Sequence, residues 1–116
     1  MRRARLTDRT KNMLLSEAAE VASSTPERMK GLLGRDRMDK GEAMVITPCS
    51  SVHTFWMRFP IDVLFYDRRN RIIALLHGLR PWRVSGWHPL AAGVVELPAG
   101  TLAEHSVAVG DELEFA

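Results

Sequence analysis

Arg58 and Asp62 set charge into an otherwise apolar and aromatic run, Thr54-Phe-Trp-Met-Arg-Phe-Pro-Ile-Asp-Val-Leu-Phe-Tyr. Charged groups in such surroundings cost free energy unless they are paired or hydrogen-bonded, so the run marks a candidate site. Pro60 displaces the chain between the two and brings an Arg58–Asp62 ion pair within reach. Asp62 has two readings. Its carboxyl lies near the interior or mouth of the fold, where burial would raise its pKa unless Arg58 or backbone amides hold it ionised, or it caps the turn after Pro60 and pins the loop. Glu96 stands between Val95 and Leu97. It is exposed if those neighbours face the core, and confronts Asp62 if the strand is reversed. Facing carboxylates can perform acid–base work or hold a metal. Cys49 and His53, four residues apart, could ligate zinc with His77 or His88, or act as a nucleophile pair. A lone cysteine equally fits a buried small hydrophobe, and His53 a satisfied structural role. No phosphate-cradling glycine loop, nucleophile elbow or HExxH helix occurs. No metal or other cofactor is expected.

The aromatic residues give a second signal. Val52 to Met57 reads as a strand with Val52, Thr54 and Trp56 on one face and His53, Phe55 and Met57 on the other. One core cannot absorb both faces, so one of them should line a pocket or a partner interface. Arg80-Pro81-Trp82-Arg83 could hold an anionic ligand or a nucleic-acid base, or cover one end of the fold with the stems of its arginines. The expected binding set is therefore Thr54, Trp56, Met57, Arg58, Asp62, Trp82 and Glu96. The loop from Leu79 to Pro89 would close it. The leading expectation is non-catalytic binding of a small ligand or protein segment by a monomer or weak dimer. One alternative is a hydrolase or isomerase using Asp62 with His53 or Glu96. Another is docking to nucleic acid or membrane through the basic residues near the N-terminus.

The elements that must position these residues are mostly short strands. From Glu17 to Ser24 a strand is expected, and Thr25-Pro26-Glu27 opens a helix with Thr25 as N-cap. Met29, Leu32 and Leu33 form its apolar stripe and Gly34 ends it; Gly31 inside it is unfavourable unless the backbone approaches a neighbour. Ala43 to Ile46 is a buried strand. Ile61–Tyr66 and Arg71–Leu76 form a β-hairpin around Asp67-Arg68-Arg69-Asn70. Gly93–Pro98 is a strand, Thr101 to Glu104 a capping box, and Glu112–Phe115 a last strand. Many short strands and one true helix predict a mainly β (α+β) single domain, a β-barrel or sandwich with a helix across one opening.

Composition agrees. The 116 residues suit one domain, with 46% hydrophobic and 26% charged residues and a net charge of +2. That charge is too small to imply nucleic acid, although residues 2–12 hold four arginines and a lysine against Asp8. Residues 1–16 are expected to form a flexible basic arm, and 17–116 the domain. One cysteine excludes an intramolecular disulfide. No apolar run approaches the roughly 20 residues of a membrane helix. A cytoplasmic protein is expected.

Three motifs in order resemble a known family: Thr25-Pro-Glu-Arg-Met-Lys-Gly-Leu-Leu-Gly-Arg, then Thr54 to Asp67, then Val95-Glu-Leu-Pro-Ala-Gly with Val109-Gly-Asp. Over residues 17–116 the chain is similar to the bacterial and archaeal domain-of-unknown-function family numbered one hundred and ninety-two. That resemblance implies a small β-rich domain with one helix and implies no reaction. Glu42-Ala43-Met44 and Arg58-Phe59 depart from the family's usual residues.

Overall fold

The computed structural model describes residues 1–116. In chain order it contains β1 (Arg2–Asp8), β2 (Met13–Ala22), α1 (Thr25–Lys30), β3 (Met44–Ile46), β4 (Ile61–Tyr66), β5 (Ile72–Leu79), β6 (Gly93–Pro98), α2 (Thr101–Glu104) and β7 (Leu113–Phe115). All seven strands belong to one sheet in the order β5-β4-β6-β3-β2-β1-β7. The sheet curls into a half-barrel. At one corner its two edges meet: the Ile72 N–H donates to the Asp111 carbonyl at 2.9 Å and the Leu113 N–H to the Asn70 carbonyl at 2.7 Å. The expected mainly β architecture is what forms.

Strand alternation splits the apolar residues into two cores. Leu64 and Tyr66 of β4 point into the curl with Leu6, Val45, Val95 and Leu102. Ile61, Val63 and Phe65 point outward, against Met44, Ile46, Met57 and Val94. The connecting loops cover that outer core, with Leu32 and Met38 after α1 and Val52 and Met57 after β3, so β3, β4 and most of β6 are buried on both sides. This is why they read as continuous apolar runs rather than alternating ones.

The hairpin forms as expected, and Asn70 takes φ 62° in its turn. Other expectations need correction. The N-terminal residues are not a loose arm: β1 pairs with β2 on one side and β7 on the other. Leu6 is fully buried in the inner core while Arg3 and Arg5 are exposed, and these outward charges conceal a strand. The helix is capped by Ser24, whose Oγ accepts from the Glu27 N–H while Glu27 returns the bond to the Ser24 N–H. It ends at Gly31 (φ 46°), before Gly34. The proposed stripe fails because Met29 is 75% exposed and Leu32 and Leu33 lie beyond the helix. Gly31 is thus a terminator, free of the interior penalty. The N-cap of α2 is Gly100; Thr101 Oγ1 donates to the Pro98 carbonyl instead. Val52 to Met57 is not a sheet strand, having only an isolated bridge between His53 and Val84. No helix is long and apolar enough to cross a membrane.

Candidate functional site

Asp62 is buried, with both carboxylate oxygens occupied. Oδ1 accepts from the Gly78 N–H at 2.8 Å, and Oδ2 from the N–H groups of Gly100 (3.0 Å) and Leu102 (2.9 Å). The residue ties the end of β5 to the start of α2 and supplies that helix with the side-chain cap its own sequence lacks. Asp62 thus stands in the interior, as the first reading has it, held by backbone amides; it does not cap the turn after Pro60. The ion pair with Arg58 does not form: Arg58 points into solvent and pairs with Asp36. Asp62 and Glu96 do not confront one another either. Asp62 pairs in register with Leu97 and Val63 with Glu96. Asp62 therefore shares the inward face with Leu64, and Glu96 shares the outward face with Val94. The sheet stands between them.

Glu96 is the unusual group. Its side chain is 3% exposed, and desolvation alone pushes its carboxyl up to about 7. No donor or cation opposes that rise. Glu96 borders a cavity of about 250 Å³ between α1, the segment after β3, and Met57. Leu32, Ile46, Val52 and Met57 supply apolar wall. Gly31 stands over the acid: a Cβ built there would lie 4.0 Å from Glu96 Oε1 and 3.8 Å from Ile46 Cδ1. Arg28 also faces the cavity, donating to the Pro48 carbonyl at 3.2 Å while its buried Nε has no partner. Cys49 lines the wall as a thiol whose pKa burial raises, its Sγ donating to the Ser51 carbonyl at 3.1 Å. A raised pKa disfavours the thiolate that a nucleophile or zinc ligand requires. No three His, Cys, Asp or Glu side chains gather as a metal set. His88 is half-buried and tilts against Phe65, ring centroids 4.2 Å apart.

The remaining expected residues build a neighbouring surface. Thr54 is fully buried and joins two loops: Oγ1 accepts from the Arg83 N–H at 2.9 Å and donates to the Arg80 carbonyl, while its own carbonyl accepts from the Trp82 N–H at 3.0 Å. Trp56 and Trp82 are thereby held outward, 71% and 52% exposed, with ring centroids 4.6 Å apart. His53 belongs to both places, lining the cavity and stacking on Phe55 at 4.9 Å. Of the seven expected binding residues, the cavity therefore takes Met57 and Glu96. Trp56 and Trp82 form the adjoining aromatic surface with Thr54 buried beneath it, and Arg58 and Asp62 belong to neither. Arg28 and the α1 wall escaped sequence reasoning; glycine at position 31, beside an apolar stretch, was the available signal.

A second cluster of charge was also missed. Asp8 is buried beside Asp111, and Lys11 Nζ donates to both Asp111 oxygens at 3.1 and 2.9 Å. Burial and the neighbouring Asp111 push the Asp8 carboxyl up to about 6, while Asp111 is held below its usual range. Burial alone would raise Asp111; its hydrogen bonds with Asp8, Lys11 and the Ala108 N–H overcome it together. This cluster fastens the β1–β2 turn to the loop before β7.

The model of domain-of-unknown-function family 192, described as an uncharacterized ACR, matches residues 6–115. The chain belongs to that family. A UPF0127 protein of Pyrococcus abyssi is 31% identical over 102 residues, spanning 83% of this chain and 84% of its own. A UPF0127 protein of Thermococcus sibiricus is 25% identical over 114 residues, spanning 95% of this chain and 73% of its own. A solved structure of a protein of unknown function from Novosphingobium aromaticivorans superposes with a TM-score of 0.82 at 20% identity, over 97% of this chain and 83% of its own. These likenesses establish family and fold and attach no reaction to either.

Proposed function

We propose that this protein binds a small, largely apolar ligand in the cavity beneath α1, through a hydrogen-bond-donating group that meets Glu96. The supporting observation is the acid itself: a residue 3% exposed that borders the cavity, its carboxyl raised to about 7 with nothing opposing its desolvation. A buried polar group without a partner costs free energy, and a ligand donor would recover it. The volume of about 250 Å³ falls below the roughly 300–1,000 Å³ of drug-sized sites, which favours a ligand of a single ring or short chain. The Arg28 guanidinium, which lines the same cavity, offers a second polar contact, to an acceptor on the same ligand.

This reading moves the binding site from the Thr54–Asp62 run to the α1 side of the outer core. It also weakens the hydrolase and isomerase alternatives built on Asp62, since the oxygens of that residue are saturated by backbone donors.

Three probes of one size and graded polarity test it: toluene, benzyl alcohol and benzylamine, followed by the unfolding temperature and by chemical-shift changes of the Gly31 and Glu96 amides. At pH 8 benzylamine should bind best, then benzyl alcohol, with toluene weakest. Glu96→Gln should abolish the advantage of the amine. If the probes leave those amides unmoved, or bind Glu96→Gln in the same order and strength, the reading fails.

A further inference from the structure

Six of the eleven exposed large apolar side chains lie in two loops, residues 47–60 and 80–92: Phe55, Trp56, Trp82, Val84, Trp87 and Leu90. The same loops carry Arg58, Arg80 and Arg83 and contain no carboxylate. Arg58 is matched by Asp36. Neither Arg80 nor Arg83 enters an ion pair. Apolar and cationic groups are thus concentrated together on loops that cover the outer core.

The arrangement is built. Trp56 and Trp82 adopt left-handed backbone angles, φ 68° and 66°, which cost free energy for a side chain of that size. Buried Thr54 fastens both loops and holds the indoles in water. Strained backbone that keeps large aromatic rings exposed points to a surface selected for contact.

The chemistry of the face distinguishes two kinds of partner. A platform for nucleic-acid bases needs open ring faces. Here the rings pack on one another: Trp56 meets Trp82 edge-on at 4.6 Å, Phe55 tilts against Trp82 at 6.0 Å, and His53 stacks on Phe55. Val84, bridged to His53, adds exposed aliphatic surface, which gives a base nothing to stack on. Indoles with aliphatic neighbours suit the boundary between headgroups and acyl chains, and unpaired guanidiniums suit anionic headgroups. We infer that this face docks the protein peripherally onto anionic lipid bilayers, with Trp56 and Trp82 at the acyl boundary and Arg80 and Arg83 on the headgroups.

The test is co-sedimentation of the full chain with vesicles of phosphatidylcholine and phosphatidylglycerol, with vesicles of phosphatidylcholine alone, and binding of single-stranded oligothymidylate. The protein should pellet with the mixed vesicles, with blue-shifted tryptophan emission, and should be released as salt rises. At about 1 kcal/mol per cation near the surface, Arg80→Ala with Arg83→Ala should lower partitioning about 30-fold. Trp56→Asn with Trp82→Asn should abolish pelleting without lowering the urea midpoint, because asparagine tolerates the left-handed angle. Glu96→Gln should pellet like the parent, which separates this inference from the cavity reading. Failure to pellet with mixed vesicles, or pelleting undiminished in the double Asn variant, overturns it. So does oligothymidylate binding that depends on the two tryptophans when vesicle binding is absent, an outcome that assigns the face to nucleic acid.

Discussion

Replacing Glu96 by glutamine should give a variant whose stability relative to the parent grows as pH rises from acid to alkaline. The Glu96 pKa is about 7 in the folded chain, against 4.5 for an unperturbed glutamate. A carboxyl with a higher pKa when folded holds its proton more tightly in that state. As pH rises past 4.5 the unfolded chain loses the proton first, so folding stability declines until the pH passes 7 and then levels off. At 1.36 kcal/mol per pKa unit the full loss is about 3 kcal/mol, reached near pH 8; at pH 5 it is somewhat under 1 kcal/mol. Glutamine fills nearly the same volume and does not ionise, so its stability lacks this slope. The buried amide adds an offset of its own that does not vary with pH. The assay is urea unfolding of both proteins at intervals from pH 4 to pH 8, with the difference in unfolding free energy plotted against pH. The difference should grow by about 3 kcal/mol across that range, mostly between pH 4.5 and 7. All other titrating groups cancel in it. A flat difference would refute the argument, since it would mean that Glu96 ionises in the folded protein as readily as in water.

Asp62→Ala removes the acceptor of three backbone N–H groups and the cap of α2, and should cost roughly 3–5 kcal/mol in chemical denaturation. Gly93→Ala places a Cβ 2.3 Å from the Tyr66 hydroxyl and 3.0 Å from the Ile46 carbonyl; calorimetry should show a loss of at least about 2 kcal/mol, unless Tyr66 leaves the inner core. Asp8→Asn should flatten the part of the stability profile that declines between about pH 4 and 6, because the raised Asp8 pKa favours the folded state only while the acid keeps its proton. Denaturant midpoints across that window would reveal the change, and an unaltered slope would mean that Asp8 titrates normally.

What the sequence determined by itself is local in character. The hairpin around Asn70, the punctuation by Pro and Gly, and the unbroken apolar runs of β3, β4 and β6 follow from propensity and composition over a few residues. Three ordered motifs sufficed for the family. The sequence also singled out Asp62 and Glu96 as charges in apolar company. It misjudged Val52 to Met57, because an alternation of large side chains is the same whether it lies in a sheet or in a loop pinned by one buried threonine. It misjudged residues 2–8, because arginines on the outer side of a curled strand look like those of a loose arm.

Which acid was structural and which was poised lay beyond any local pattern. Side chains alternate with a period of two, so a one-residue change in the β4–β6 register would carry Asp62 or Glu96 to the other side of the sheet. The observed register sends Asp62 inward, where Gly78, Gly100 and Leu102 offer it amides from two distant turns. It sends Glu96 outward, beneath a helix that ends at Gly31 and leaves space above it. Tertiary structure decides the chemistry of the two carboxyls because hydrogen-bond donors and desolvation come from chain segments remote in sequence, brought to each acid only when the sheet has paired and curled.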